Sequence, residues 1–176
     1  MRLMLHSGGL RSLVASAMLA EKARLALLFV HDGRPSDAAH HACFGHQAER
    51  FNATKRLERL LPHLLTRGES EDDAPAPVIA SPLRHAQLLT AAVEAAATLD
   101  VEQIVWPVQV GEQFDDLARI TETIELVQQL AAANGIDTPP IETPLLEMTD
   151  RQVIEVGHQM DVPWTLGRSC PQPGRG

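Results

Sequence analysis

Tyrosine is absent from the 176 residues, and aromatic side chains together make up only 3% of them. A surface that stacks the bases of single-stranded nucleic acid needs aromatic faces in number, so the composition disfavours that class. Positive charge is also scarce. Fifteen Lys and Arg stand against 23 Asp and Glu, a formal net charge of -8, which argues against broad electrostatic binding of nucleic acid and confines any anionic ligand to a local basic pocket. The two cysteines, Cys43 and Cys170, are too few and too far apart for a disulfide framework and fit a reducing compartment. No apolar run reaches bilayer length, the longest being Leu25 to Val30, and the first residues lack the layout of a secretory leader. The expectation is a cytoplasmic protein without membrane contact, folded as a single domain over residues 1–176, with 149–176 as a C-terminal helix and short tail.

What is present centres on the first residues. Leu3, Met4 and Leu5 read as a short buried strand, and Leu10, Leu13, Val14, Ala17 and Met18 recur on one helical face. Ser7-Gly8-Gly9 separates them. A strand that turns through glycines into a helix presents backbone N–H groups at the positive end of the helix dipole, which suits phosphate. Ser7 and Ser12 would add hydroxyl donors at the edges, although two glycines also make an ordinary tight turn. The stretch is neither GxxxxGK[ST] nor GxGxxG.

Further along, Leu25 to Val30 suits a strand buried on both faces of a parallel sheet. His31 and Asp32 follow its carboxyl end, where ligands sit in open α/β sheets, or else form an Asp-Gly turn with Gly33. Ala38 to Leu61 reads as one long helix, with Phe44, Ala48, Phe51, Leu57, Leu60 and Leu61 as its apolar face. Within it only His40/Cys43 and Cys43/His46 share a side, too few ligands for a metal, so surface histidines are expected. Thr66 to Pro77 is an acidic, proline-bearing loop expected to be mobile. Val78 to Ala80 reads as a short strand, and Pro82 opens a helix to about Leu99 with Arg84 and His85 at its start. Ile104 to Val108 is a further strand. Beyond it, Asp115 and Asp116 either hold magnesium or a substrate amine, or cap a helix from about Leu117 to Ala133 that ends at Asn134-Gly135. Ile141 to Leu146 is the last apolar run, and Thr149 caps a final helix. Helices alternating with short apolar runs indicate an α/β fold: a parallel sheet covered on both faces.

The Ser7 to Ser12 stretch resembles the SGGxDS signature of the PP-loop ATP pyrophosphatases. Ile141 to Thr149 with Val153, Ile154 and Gly157, and Val162-Pro163 before Ser169-Cys170, resemble one branch of that superfamily, the 7-cyano-7-deazaguanine synthases of queuosine biosynthesis. So do Ser81 to His85 and Phe29 to Gly33. The resemblance implies a five-stranded parallel, Rossmann-like sheet of the adenine nucleotide alpha hydrolase type, often in a homodimer. It also implies an ATP-dependent, carbon–nitrogen bond-forming ligase acting on a small molecule, with ATP and Mg2+. Ser7, Gly8, Gly9, Leu10, Arg11, Ser12, His31 and Asp32 would contact nucleotide, and Arg84, Gly111 and Asp116 substrate or metal.

Three positions depart from that pattern. Arg11 stands where the family has Asp, Asp150 follows Thr149 where it has Lys, and Cys170 is the one cysteine of a four-cysteine zinc cluster, so no zinc site is expected. The first two changes are opposite in sign. Arg11 and Asp150 have either exchanged charge and face one another, or both lie on solvent-facing helix surface. The alternative reading is therefore a catalytically degenerate relative acting as a nucleotide-binding or interaction protein; an unrelated α/β nucleotide-binding domain is a third.

Overall fold

The computed structural model describes residues 1–33, 37–62, 65–67 and 78–167. Their order is β1 (Arg2–His6), α1 (Leu10–Ala20), β2 (Leu25–His31), α2 (Asp37–Arg50), β3 (Lys55–Leu60), β4 (Leu65–Arg67), β5 (Val78–Ala80), α3 (Arg84–Ala97), β6 (Gln103–Val105), α4 (Phe114–Ala133), β7 (Ile141–Glu142) and α5 (Asp150–Gln159), then a 3-10 turn, Trp164–Leu166. Five strands form one sheet in the order β3-β2-β1-β6-β7, and each neighbouring pair is parallel. The expected architecture is present.

Alternation along the central strands divides the core into two layers. Met4, Leu25, Leu27, Phe29 and Val105 face α1, α2 and α5, where they meet Leu13, Val14, Phe44, Ala48 and Val153. Leu3, Leu5, Ala26, Leu28 and Ile104 face α3 and α4, against Leu89, Ala92, Val93, Ile120 and Val127. A strand buried on both faces must be apolar throughout, which is why Leu25 to Phe29 carries no polar residue.

One expected element is corrected. The long helix over 38–61 stops at Arg50, and Lys55–Leu60 is an edge strand in parallel register with Ala26–His31. Asn52 breaks the helix by adopting a left-handed φ of 50°, a conformation that asparagine tolerates better than most residues. The β3 side chains, Leu57 excepted, are exposed, so the strand lacks the alternation that would reveal it in sequence. Val78–Ala80 is a strand, but it pairs antiparallel with Leu65–Arg67 outside the main sheet. Thr66 and Arg67 therefore belong to a strand; the rest of the expected 66–77 loop, and Ser169-Cys170, lie outside the described residues.

Candidate functional site

The loop between β1 and α1 is held from beneath. Gly8 has φ +71° and packs so closely on the His40 backbone that a Cβ would overlap the His40 carbonyl oxygen, so only glycine fits. Its N–H donates to His6 Nδ1 at 3.1 Å, and its carbonyl accepts from Gln47 Nε2 at 3.1 Å. The Ser7 N–H donates to Ser12 Oγ at 2.9 Å, the two hydroxyls lie 3.0 Å apart, and the Gly9 N–H donates to Ser7 Oγ at 3.3 Å. Thus the N–H groups of Ser7, Gly8 and Gly9 are used inside the loop. The donors left for an anion are those of Leu10, Arg11 and Ser12 on the first turn of α1, a helix with no side-chain cap.

Beside this turn lies a cavity of about 920 Å³. Arg11 forms part of its wall, together with His85 of α3, Gly111, Glu112 and Asp116 near the start of α4, and Thr149 and Asp150 at the start of α5. Of the residues expected from sequence, Arg11, Gly111 and Asp116 thus meet at one cavity. Arg84, on the exposed first turn of α3, does not line it. His31 and Asp32 sit at the end of β2, next to the end of β1, and also outside the cavity. There the His31 ring stacks on Phe29 at 5.6 Å, and the Asp32 N–H donates to Asp37 Oδ2 at 3.2 Å.

Arg11 and Asp150 do face one another. The Arg11 Nη2 lies 3.9 Å from Asp150 Oδ1, and Gln109 bridges them, its Oε1 accepting from Arg11 Nε and its Nε2 donating to Asp150 Oδ1 at 3.0 Å. With Arg11 49% and Asp150 85% exposed, the pair contributes less than about 1 kcal/mol to stability. A ligand can open it at little cost. Asp116 pairs separately with Arg119 at 3.1 Å.

Two histidines at the site have a reduced affinity for protons. His6 is buried, and desolvation pushes its pKa down to about 3, the nearby Gln47 side chain opposing the shift. For His85 the direction is also downward, caused first by burial and then by the neighbouring Arg84, with Asp116 opposing. Its ring meets Trp106 edge-on at 5.4 Å. Sequence reasoning passed over Gln47 and Gln109. Gln47 had a signal, since it shares the helical face of Phe44 and Ala48, where a buried amide must find partners; Gln109 lay in an irregular segment with none.

The donor set does not fit a metal ion seated in the loop. Where Mg2+ would need a carboxylate, the first turn of α1 offers the Arg11 guanidinium, whose positive charge beside the loop opposes a cation there. Among the described residues no three His, Cys, Asp or Glu side chains are grouped to hold a metal. His41, in the His/Cys cluster of α2, lies 2.8 Å from Glu58. Among those same residues no helix is long and apolar enough to cross a membrane.

Comparison with known proteins places this geometry in a family. The curated 7-cyano-7-deazaguanine synthase of Methanothermobacter thermautotrophicus is 25% identical over 91 residues, covering 51% of this chain and 40% of that protein, so the match spans under half of the relative's length. Two solved structures share the fold. One is the U34-tRNA thiolase NcsA from Methanococcus maripaludis with its 4Fe-4S cluster: TM-score 0.60, 15% identity, 98% of this chain and 59% of that one. The other is the NMN synthetase from Francisella tularensis: TM-score 0.58, 12% identity, 97% and 66%. At these identities the likeness shows the fold alone. The family model described as queuosine biosynthesis protein QueC matches residues 1–176, and the chain belongs to that family.

Proposed function

We propose that this chain binds the polyphosphate of ATP at the first turn of α1 and activates a heteroaromatic carboxylate held in the adjoining cavity, in the manner of a 7-cyano-7-deazaguanine synthase. The observation that carries this reading is the position of Arg11, which stands on the first turn of α1 directly after the glycine loop and also forms part of the cavity wall. A carboxylate is a poor electrophile until it carries a good leaving group. Its oxygen attacks the α-phosphorus, pyrophosphate departs, and the resulting acyl adenylate is open to ammonia, which displaces AMP and leaves the amide. The amide oxygen then attacks the α-phosphorus of a second ATP and expels a second pyrophosphate, and loss of AMP gives the nitrile as the nitrogen surrenders its two protons in turn.

The residues have distinct parts in that sequence. Arg11 and the N–H groups of the α1 terminus stabilise the charge gathering on departing pyrophosphate. That role replaces the neutralisation that a loop carboxylate and its metal would provide, and no step depends on a bound ion. His85, whose proton affinity is lowered first by partial desolvation and then by Arg84, lines the cavity as a base able to take the proton released when ammonia adds. Substrate specificity falls to the cavity wall around Gly111 and Asp116.

A second reading is favoured by one specific contact. Because Arg11 is engaged by Gln109 and Asp150, a ligand that fails to displace Asp150 meets a closed site, and the chain would then serve as an interaction protein. Calorimetric titration with inorganic pyrophosphate and with ATP, each in Mg2+ and in EDTA, separates the two. The expected result is binding that survives EDTA and weakens about tenfold in Arg11→Ala, the loss of one charge-assisted contact. The Arg11→Asp/Asp150→Lys double variant should make binding depend on Mg2+. Binding in wild type warrants an assay of pyrophosphate release with 7-carboxy-7-deazaguanine and ammonia. No binding at millimolar ligand in either condition overturns the enzyme reading.

A further inference from the structure

The glycine loop and the turn at 164–167 are far apart in sequence, yet one buried side chain holds both. Gln47 is fully buried. Its Nε2 donates to the Gly8 carbonyl at 3.1 Å and to the Leu166 carbonyl at 2.7 Å. These are the two protons of one rigid amide, so neither carbonyl can shift without drawing on the other bond. The same loop residue is held on its other side, because the Gly8 N–H donates to His6 Nδ1. A neutral imidazole that accepts at Nδ1 carries its proton on Nε2. His6 Nε2 and Gln47 Oε1 are both buried without a partner at hydrogen-bonding distance, although the Gln47 amide is near enough to oppose the loss of proton affinity at His6. A donor and an acceptor thus sit close together, with no competing group engaging either.

The apolar contacts run the same way. Gly167 packs so tightly on Leu10 and Leu13 that a Cβ would press on both side chains. The turn containing Trp164 and Leu166 therefore sits on the first turn of α1, the same turn that presents the free N–H groups. Two buried polar side chains in an apolar layer cost stability unless their bonds compensate. A layer that needed only to be filled could have been filled with leucine. The polar pair therefore has a purpose in what it holds, and it holds both backbone polar groups of Gly8.

We propose that Gln47, with His6 behind it, is the positioning residue of the glycine loop, fixing the Gly8 peptide and making the loop's order depend on the seating of the 164–167 turn. Leu166 and Gly8 order together or loosen together. The affinity part of this proposal rests on the reading that the loop takes polyphosphate; the coupling part does not.

The test uses the full chain, with hydrogen exchange read by mass spectrometry and pyrophosphate as the calorimetric probe. In Gln47→Leu, exchange should quicken about tenfold in both 7–12 and 164–167, while 91–96 in the opposite layer stays unchanged. The His6→Leu/Gln47→Leu double variant fills the same space but leaves the Gly8 N–H and the Gly8 and Leu166 carbonyls without their partners. It is expected to melt below the wild-type temperature and, well below that melting point, to show fast exchange in both segments while 91–96 stays protected, with pyrophosphate affinity lowered about tenfold. A folded double variant with wild-type exchange in 7–12 overturns the proposal, as does quickening confined to 164–167. Should wild type bind no pyrophosphate, the polyphosphate reading fails by itself, and the paired exchange of the two segments still decides the coupling.

Discussion

At position 6 the chain places an ionisable side chain where protonation is all but forbidden. His6 closes β1, buried between the glycine loop and α2, and its pKa of about 3 lies well below the ordinary histidine value of 6.5. The consequence for stability has a definite sign. Above about pH 6.5 the residue is neutral in both folded and unfolded chains and contributes no pH dependence. Between about 6.5 and 3 the unfolded chain takes up a proton that the folded chain refuses, so stability falls as pH falls, with a slope of up to about 1.4 kcal/mol per unit. His6→Asn retains an acceptor for the Gly8 N–H and does not titrate. Urea unfolding at pH 7 and pH 5 should show that wild type loses about 2 kcal/mol more than His6→Asn over that interval. Equal losses would mean that His6 titrates normally in the folded protein.

Among the secondary elements, those whose termini carry a chemical signature were legible and those defined only by pairing were not. Ser-Gly-Gly after three apolar residues located β1, the loop and α1, because a glycine at positive φ and a helical apolar face both write themselves into residue types. Thr149 announced α5, and the structure completes the motif. Its hydroxyl accepts from the Gln152 N–H at 3.3 Å while Gln152 Oε1 accepts from the Thr149 N–H at 2.8 Å, a full capping box. By contrast β3, with nearly every side chain in solvent, left no periodic trace, whereas β7 opens the last apolar run, Ile141 to Leu146, though the strand itself is only two residues long. At the site, the charge exchange was visible as Arg11 and Asp150, whereas Gln109 between them was not, because a bridging amide follows from the approach of two loops. The cap bears on function through Asp150, the first residue of α5. Thr149→Ala removes one half of the box and should destabilise the protein by about 1 kcal/mol. It should also loosen Asp150, so that pyrophosphate affinity is unchanged or slightly improved as melting temperature falls. A parallel drop in affinity would show that a firmly held Asp150 helps the ligand.

In the molecule as a whole, the two helical layers are joined by shared strands. Met4 points into the layer of α1, α2 and α5 while its neighbours Leu3 and Leu5 point into that of α3 and α4, and β2 repeats the division with Leu25, Leu27 and Phe29 against Ala26 and Leu28. Neither layer can lose its packing without exposing the back of the strands that serve the other. The apolar area on both faces of β1 and β2 is thus a single cooperative quantity. The two tryptophans allow this to be measured, since Trp164 packs against the first layer and Trp106 is buried in the second. Trp106→Phe and Trp164→Phe each leave one reporter on one layer. Fluorescence-detected urea transitions of the two variants, each compared with helix loss in the same variant, should coincide to within about 0.3 M after allowing for the destabilisation that each substitution causes. Trp164 lies only two residues before Leu166, the residue that Gln47 ties to the glycine loop, so its transition also reports on that end of the site. If Trp164 responds at lower urea than helix loss while Trp106 does not, the α5 side opens by itself. The anion loop would then be held by a separately unfolding flap rather than by the core.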